Sequence, residues 1–148
     1  MTTAHERTND EAAIGALIDH LARAIRARDL DAVLTVFAPE LVSFDLGPPL
    51  RHGGGEPFAR RWRELFDAYA GPIDYEIRDP VVNVGGDVAF SRSLNRIGGA
   101  TRDGREVERW LRWTAGWRKL AGEWRIVHEH VSVPADLRDG KALLDLEP

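Results

Sequence analysis

The segment "REVERWLRWTAGWRKL", from Arg105 to Leu120, limits the fold most because it carries one unbroken strand pattern. A flat strand of this length would span about 50 Å at roughly 3.3 Å per residue, far more than a typical strand. We therefore expect it to bend, with Gly116 as a plausible bulge and Pro80 as a second one in an earlier strand. The sheet to which it belongs should curl.

Three further segments carry strand patterns: "IDYEIRDPVVNV", "DVAFSRSLNRI" and "EWRIVHEHVSV". The separators "GGD", "GGATRDG" and "LAG" are short and contain glycine, as antiparallel hairpins require. The chain from Ile73 onward therefore predicts four long strands in an antiparallel sheet.

Apolar residues at helical spacing predict two helices at the start of the chain. Thr8 and Glu11 are placed to form a capping box for the first helix. Its apolar stripe comprises Ile14, Leu17, Ile18, Leu21 and Ile25. Asp29 is the expected N-cap of a second helix, whose stripe continues to Phe37 and must end before Pro39.

A short strand and a third helix follow. Alternation in "LVSFDLGPP" places Leu41, Ser43 and Asp45 on one face of the strand. Pro57 suits the first position of a helix with the aromatic-rich stripe Phe58, Trp62, Leu65, Phe66 and Tyr69. Three N-terminal helices against a curled antiparallel sheet predict an α+β cone with an enclosed pocket.

The composition is that of an ordinary globular domain, which we expect to span residues 1–148, with a tail of residues 135–148 packing on the sheet or on a partner. The 20 basic and 24 acidic residues give a net charge of −4, which disfavours a nucleic-acid partner.

Cysteine is absent, which excludes disulfides, thiolate chemistry and Cys-ligated zinc. The start of the chain does not resemble a signal peptide, and no run of about 18 apolar residues occurs. We therefore expect a cytoplasmic protein that has no membrane partner.

Two segments, "ARDLDAVLTVFAPELVSFD" and "GEWRIVHEHVSVP", resemble the nuclear transport factor 2-like superfamily, and within it the ketosteroid isomerase-related and SnoaL-like proteins. The resemblance runs from about Glu11 to Pro134. The second segment is also similar to the association domain of calcium/calmodulin-dependent protein kinase II. The resemblance implies a nuclear transport factor 2-like, or cystatin-like, cone. This fold hosts isomerases, dehydratases, epoxide hydrolases, cyclases and non-catalytic assembly modules, so it does not fix the function.

Asp45 is the first candidate for catalysis. The resemblance implies a general base on the strand after the second helix, eight residues beyond the aromatic that closes that helix, as Asp45 follows Phe37. A carboxylate over an apolar pocket can take a carbon-bound proton and return it elsewhere. The positions that match the oxyanion hole of the steroid isomerases are Leu21 and Trp113, so steroid isomerisation itself is not expected. Without the resemblance, an Asp before "GPP" is a turn or surface residue.

Arg92 is the second candidate. Strand alternation groups it with Phe90, Leu94 and Arg96, and the kinase association domain has a pocket-lining arginine at the matching position. There it could bind an enolate or a carboxylate. The alternative is a surface cation on a solvated sheet face.

Glu129, in the last strand, is the third candidate. Alternation places Trp124, Ile126, His128, His130 and Ser132 on one face of this strand and Arg125, Val127, Glu129, Val131 and Val133 on the other. The resemblance places the second set inside the cone, where we expect Glu129 to pair with Arg92.

The two histidines would then lie outside, at a homodimer interface formed by the outer sheet face. A His-x-His pair lacks the third ligand of a metal site, so we expect no metal and no cofactor.

The expected ligand contacts are Phe58, Trp62, Phe66, Phe90, Trp113 and Val131, although aromatic stripes also form ordinary cores. We interpret the protein as ketosteroid isomerase-like, acting as an isomerase, dehydratase or cyclase on a small apolar molecule with Asp45 as general base. The alternative is a non-catalytic ligand-binding or oligomerisation module.

Overall fold

A computed structural model of the chain describes residues 3–148. The helices are α1 (Ala4–Ala27), α2 (Leu30–Leu34) and α3 (Glu56–Ala68). The strands are β1 (Phe37–Phe44), β2 (His52–Gly53), β3 (Asp74–Gly85), β4 (Val88–Ala100), β5 (Glu106–Leu120), β6 (Glu123–Ser132), β7 (Ala135–Asp136) and β8 (Lys141–Ala142). The α+β cone with N-terminal helices and a curled sheet is confirmed.

Six strands form the main sheet in the order β2-β1-β6-β5-β4-β3, which leaves the sheet unclosed. All neighbours are antiparallel except β1 and β6, which run parallel. The four long strands predicted from Ile73 onward are antiparallel as expected, and the parallel pair lies between β1 and β6. The reason is that β1 enters along the free edge of β6 directly after α2, where Ile126 N donates to the Val36 carbonyl at 2.9 Å.

Helix α1 begins earlier than its sequence pattern predicts. Thr3 is the N-cap and forms a capping box with Glu6, with Thr3 N donating to Glu6 Oε2 at 2.7 Å. Thr8 lies inside the helix, where its hydroxyl donates to the Ala4 carbonyl. The predicted apolar stripe does face the core, since Ile14, Ile18, Leu21 and Ile25 are all buried.

Helix α2 is shorter than expected, because Phe37 opens strand β1 and does not close the helix. Its predicted N-cap is confirmed: Ala32 N donates to Asp29 Oδ1 at 3.0 Å. Between Phe37 and Val42 the register of β1 against β6 shifts, so the strand bulges there. Pro39, which has no N–H to give to a ladder, lies within this irregular part.

Two bulges curl the long strands. In β3 the register shifts between Arg78 and Val81, around Pro80 as predicted. The β5–β6 register shifts between Gly116 and Trp117, which pair with His128 and Ile126. The bend near Gly116 is therefore present, but the extra residue, Val127, belongs to the facing strand.

The bulge at Val127 changes the faces of β6. Trp124 and Ile126, expected on the outer face, are 3% and 0% exposed in the core. Beyond the bulge alternation restarts, so Glu129 and Val131 also point inward. Strict alternation failed because an inserted residue reverses the faces of everything that follows it.

The tail forms a two-stranded ladder of β7 and β8 beside the end of β6, where Leu143 N donates to the Pro134 carbonyl at 2.8 Å. Pro148 lines a second pocket together with Arg92, on the outside of the sheet. Within residues 3–148, no helix has both the length and the apolar character needed to cross a membrane.

The outer sheet face is the side away from the helices and carries Phe44, Phe90, Arg92, Leu94 and His130. Phe44, Phe90 and Leu94 are 39%, 50% and 37% exposed. We propose that this face forms a homodimer, because exposed aromatic residues on a sheet are typical of interfaces.

Light scattering should give a mass near twice the 16.5 kDa of the chain. Phe90→Asp should shift the species towards monomer, because burying a new carboxylate at an apolar interface is unfavourable. Leu137→Asp is the matched control, since Leu137 is 95% exposed in the tail. A monodisperse wild-type monomer at micromolar concentration would contradict the proposal, and a larger ring would favour the assembly-module alternative.

Candidate functional site

A cavity of about 370 Å³ lies between the helices and the inner face of the sheet. Most of its wall is aromatic or aliphatic, and includes Leu21, Ile25, Phe58, Trp62, Leu65, Leu111 and Val131. This volume is in the range of sites that bind small organic molecules. A few polar side chains interrupt the apolar wall, and they determine what chemistry the cavity can support.

Glu129 is buried at the inner face of β6, with 6% of its surface exposed. Ser43 Oγ, from the neighbouring β1, donates to Glu129 Oε1 at 2.9 Å. Trp113 Nε1, from β5 on the other side, donates to Oε2 at 3.0 Å. Burial raises the pKa of Glu129 above its ordinary value, although both hydrogen bonds and the nearby Arg61 charge act in the opposite direction.

Asp45 lies directly after β1 and lines the same cavity. Its Oδ1 accepts from Leu46 N at 2.7 Å, and its Oδ2 forms an ion pair with Arg61. The two side chains are 27% and 25% exposed, so this pair is partly shielded from water.

Arg61, from α3, is electrostatically coupled to both carboxylates. It pairs with Asp45 directly, and it interacts with the charge of Glu129 without a hydrogen bond. Burial lowers its pKa, while Glu129 and Glu64 raise it. Among residues 3–148, its buried Nη1 has no hydrogen-bond partner. Asp45, Arg61 and Glu129 together are called the carboxylate end of the cavity below.

Tyr75 and Asn95 add a neutral polar pair to the wall. Asn95 Nδ2 donates to the Tyr75 hydroxyl at 3.0 Å, and Ser93 Oγ donates to Asn95 Oδ1 at 2.6 Å. Burial raises the pKa of Tyr75, so its hydroxyl keeps its proton at neutral pH. In the described part of the chain that proton has no acceptor, which leaves it available to a ligand.

The structure brings together most of the residues that the sequence singles out. Asp45, Glu129, Phe58, Trp62, Trp113 and Val131 all line the cavity. Phe66 is buried in the core behind the cavity wall.

Arg92 and Phe90 lie on the outer face, so their expected places in the pocket are wrong. The inward residues of β4 are those at odd positions: Ser91 and Asn95 are buried at 1% and 3% exposure. The expected ion pair of Glu129 with Arg92 is therefore absent, and Ser43, Trp113 and Arg61 surround the carboxylate.

The sequence patterns do not single out Arg61, Tyr75 and Asn95, which also line the cavity. A signal for Arg61 existed, because it stands three residues after Phe58 and four before Leu65, within the stripe of α3. A charged residue within an apolar helix stripe indicates a side chain that lines a cavity. For Asn95 the signal is strand alternation: it lies two residues before the buried Ile97, so both side chains point to the same face of β4.

The histidines of β6 have partners of their own. His128 Nδ1 donates to the Val42 carbonyl at 2.7 Å, and the Phe44 ring packs edge-on against both His128 and His130. In the portion from residue 3 to residue 148, no three His, Asp or Glu side chains are grouped so as to hold a metal ion.

Comparison with known families identifies the family to which this chain belongs. Residues 14–136 match the SnoaL-like domain. The chain belongs to the SnoaL-like family. A comparison with curated proteins found no match.

Solved structures agree with this assignment. An NTF2-like protein of unknown function from Pseudomonas putida KT2440 is 33% identical to this SnoaL-like chain, covers 95% of it and 98% of its own length, and has a TM-score of 0.86. A ketosteroid isomerase-like protein from Erwinia carotovora atroseptica SCRI1043 is 23% identical over 83% and 95% of the two chains, with a TM-score of 0.71.

A candidate calcium/calmodulin-dependent protein kinase II association domain from Xanthomonas campestris is 18% identical over 84% and 87%, with a TM-score of 0.70. At these identities the last two proteins show the fold alone. The expected fold family is confirmed.

Glu129 should make the stability of the protein depend on pH. Because its pKa is raised in the folded protein, the Glu129 carboxyl loses its proton near pH 4.5 in the unfolded chain but only at a higher pH in the folded protein. Stability contributed by the neutral form is thus fully present below the unfolded pKa and is lost as pH rises through the folded pKa, at no more than about 1.4 kcal/mol per pH unit.

In Glu129→Gln this dependence disappears, so the free energy of unfolding of the variant relative to wild type should rise with pH across that window and then level off. Urea titrations from about pH 4 to about pH 8 measure the difference. Glu40→Gln, at an exposed site in β1, is the matched control. A difference that does not change with pH would show that Glu129 keeps an ordinary pKa.

Proposed function

We propose that this SnoaL-like protein binds a small, mainly apolar molecule in its cavity and catalyses proton transfer of the isomerase, dehydratase or cyclase type, with Asp45 as general base. The observation that supports this most directly is the carboxylate end, where two carboxylates and one guanidinium lie against an otherwise apolar cavity. Ionisable groups with perturbed environments in a cleft are typical of catalytic sites.

Asp45 is suited to accept a proton from carbon. Its Oδ2 forms an ion pair with Arg61 and its Oδ1 accepts from Leu46 N, and each carboxylate oxygen retains a lone pair beyond its one existing contact. The Leu46 N–H and Arg61 also hold the carboxylate in one orientation, which lowers the entropic cost of reaching a reactive geometry.

A carboxylate is a weak base towards carbon, so the substrate must be an activated carbon acid. Such activation comes from a hydrogen bond to the carbonyl oxygen on which negative charge develops. The free hydroxyl proton of Tyr75 can supply it, and the positive charge of Arg61 favours the anionic intermediate. Glu129, whose pKa is raised, can give a proton to the product, and the cycle closes when Asp45 releases its proton to solvent and Glu129 takes one up.

Steroid isomerisation remains outside this proposal. Leu21, at the position that resembles the catalytic tyrosine of the isomerases, forms apolar wall, and Trp113 is engaged with Glu129. The polar groups of this cavity therefore differ from those of the steroid enzymes, and a different carbonyl substrate is expected.

Asp45→Asn tests the proposal. Asparagine keeps the size of the side chain and much of its hydrogen bonding but cannot act as base, so turnover should fall by about 10²-fold or more. Stability should fall by only about 1 kcal/mol, because the lost ion pair is partly exposed. Rates would be measured on enolisable ketones, 3-hydroxy carbonyl compounds and epoxides, with melting temperature in parallel.

Asp19→Asn, at an exposed site on α1, is the control and should change neither quantity. Full turnover by Asp45→Asn would remove Asp45 as the base. A chain that binds ligands in the cavity but turns over none of the panel would support the non-catalytic binding module.

A further inference from the structure

The cavity has a second polar region, formed by one face of β5. Arg105, Val107, Arg109, Leu111 and Trp113 follow at every second position and all line the cavity. Trp113 reaches the carboxylate end through Glu129, whereas Arg105 and Arg109 lie towards the other end of the strand. There Thr101 pairs with Tyr69, the residue that closes α3. Thr101, Arg105 and Arg109 are called the arginine end below.

Arg109 is a partly buried cation without a counter-ion. Within residues 3–148 its guanidinium forms no ion pair and no side-chain hydrogen bond. The flanking acid Glu108 points to the other face of β5 and pairs with Arg96 at 3.3 Å. Arg105 is bound by Asp103, but its side chain is 64% exposed, so this pair is well screened. The arginine end therefore carries an uncompensated positive charge.

The two ends are separated by apolar wall. Arg61 and Tyr69 lie about 12 Å apart along α3, at roughly 1.5 Å per residue. Arg109 and Trp113 lie about 13 Å apart along β5, at roughly 3.3 Å per residue. The wall between the carboxylate end and the arginine end includes Leu65, Val107 and Leu111.

The arginine end is also held in place. Arg28, from the end of α1, donates to the carbonyls of Phe66 and Tyr69 at 2.7 and 3.1 Å and so fixes the last turn of α3. A fixed wall allows a guanidinium to present its paired N–H groups without a large loss of side-chain freedom.

We propose that the ligand of this cavity is an organic monocarboxylic acid, whose carboxylate is bound by Arg109 at the arginine end and whose apolar body extends towards the carboxylate end. A carboxylate matches the paired donors of one guanidinium, and an aliphatic or aromatic body of about 10 Å fits the apolar wall between the ends. Only the identity of the reacting group on this acid rests on the proposed function. Binding of the acid does not require turnover.

The test compares 5-phenylpentanoic acid with its neutral amide, which has the same body and nearly the same shape. By calorimetry, wild type should bind the acid about tenfold more tightly than the amide. Arg109→Gln should remove this preference by weakening the acid alone, and Arg109→Lys should keep part of it, because charge remains and the paired geometry is lost.

Arg118→Gln is the matched control, on the same strand but on the outer face, and should leave the preference unchanged. Equal affinities of wild type for acid and amide would overturn the proposal, as would a preference that survives in Arg109→Gln. If neither probe binds, the proposal also fails. The proposed function is then judged separately, by the turnover of Asp45→Asn.

Discussion

The burial of Glu129 is the constraint on which the site depends. A carboxylate removed from water is unfavourable unless donors reach it, and here the donors come from both neighbouring strands, Ser43 in β1 and Trp113 in β5. Satisfying one side chain therefore aligns three strands, including the parallel junction of β1 with β6. The same alignment carries Asp45 to the cavity from the end of β1, so structure and candidate chemistry share one set of contacts.

Charge is distributed unevenly along the cavity. At one end Arg61 pairs with Asp45 beside the buried Glu129, and at the other Arg109 has no ion pair within residues 3–148. Such an arrangement gives a ligand a preferred direction, because an acidic group is attracted more strongly by the unpaired Arg109 than by Arg61, whose charge Asp45 already offsets. Selectivity in this cavity would then come from the order of polar groups along the ligand as well as from its size.

The sequence predicted the fold well where one periodicity dominates. The length of β5 implied a curled sheet, the stripe of α1 faces the core, and Asp29 caps α2. Errors arose where a face had to be chosen: alternation groups the residues of β4 and β6 correctly over short stretches, but only tertiary contacts decide which group faces inward. Arg92 was misplaced for that reason, and Trp124 because the bulge at Val127 has no marker such as glycine. The sequence predicted that Asp45 and Glu129 line the cavity, but it did not single out Arg61, because a charged helix residue is ordinarily assigned to solvent.

The bulge at Val127 also makes β6 a strand with two alternative sets of inward residues. Trp124 and Ile126, before the bulge, hold the strand in the core whatever follows. If Val127 entered the regular ladder and the bulge closed without loss of a residue, that anchor would stay in place and the remainder would shift by one position, so that His128 and His130 would enter the cavity and Glu129 would leave it. The presence of this one bulge thus decides between a carboxylate-lined cavity and an imidazole-lined one, so a scaffold of this kind can move between chemistries without rebuilding its core.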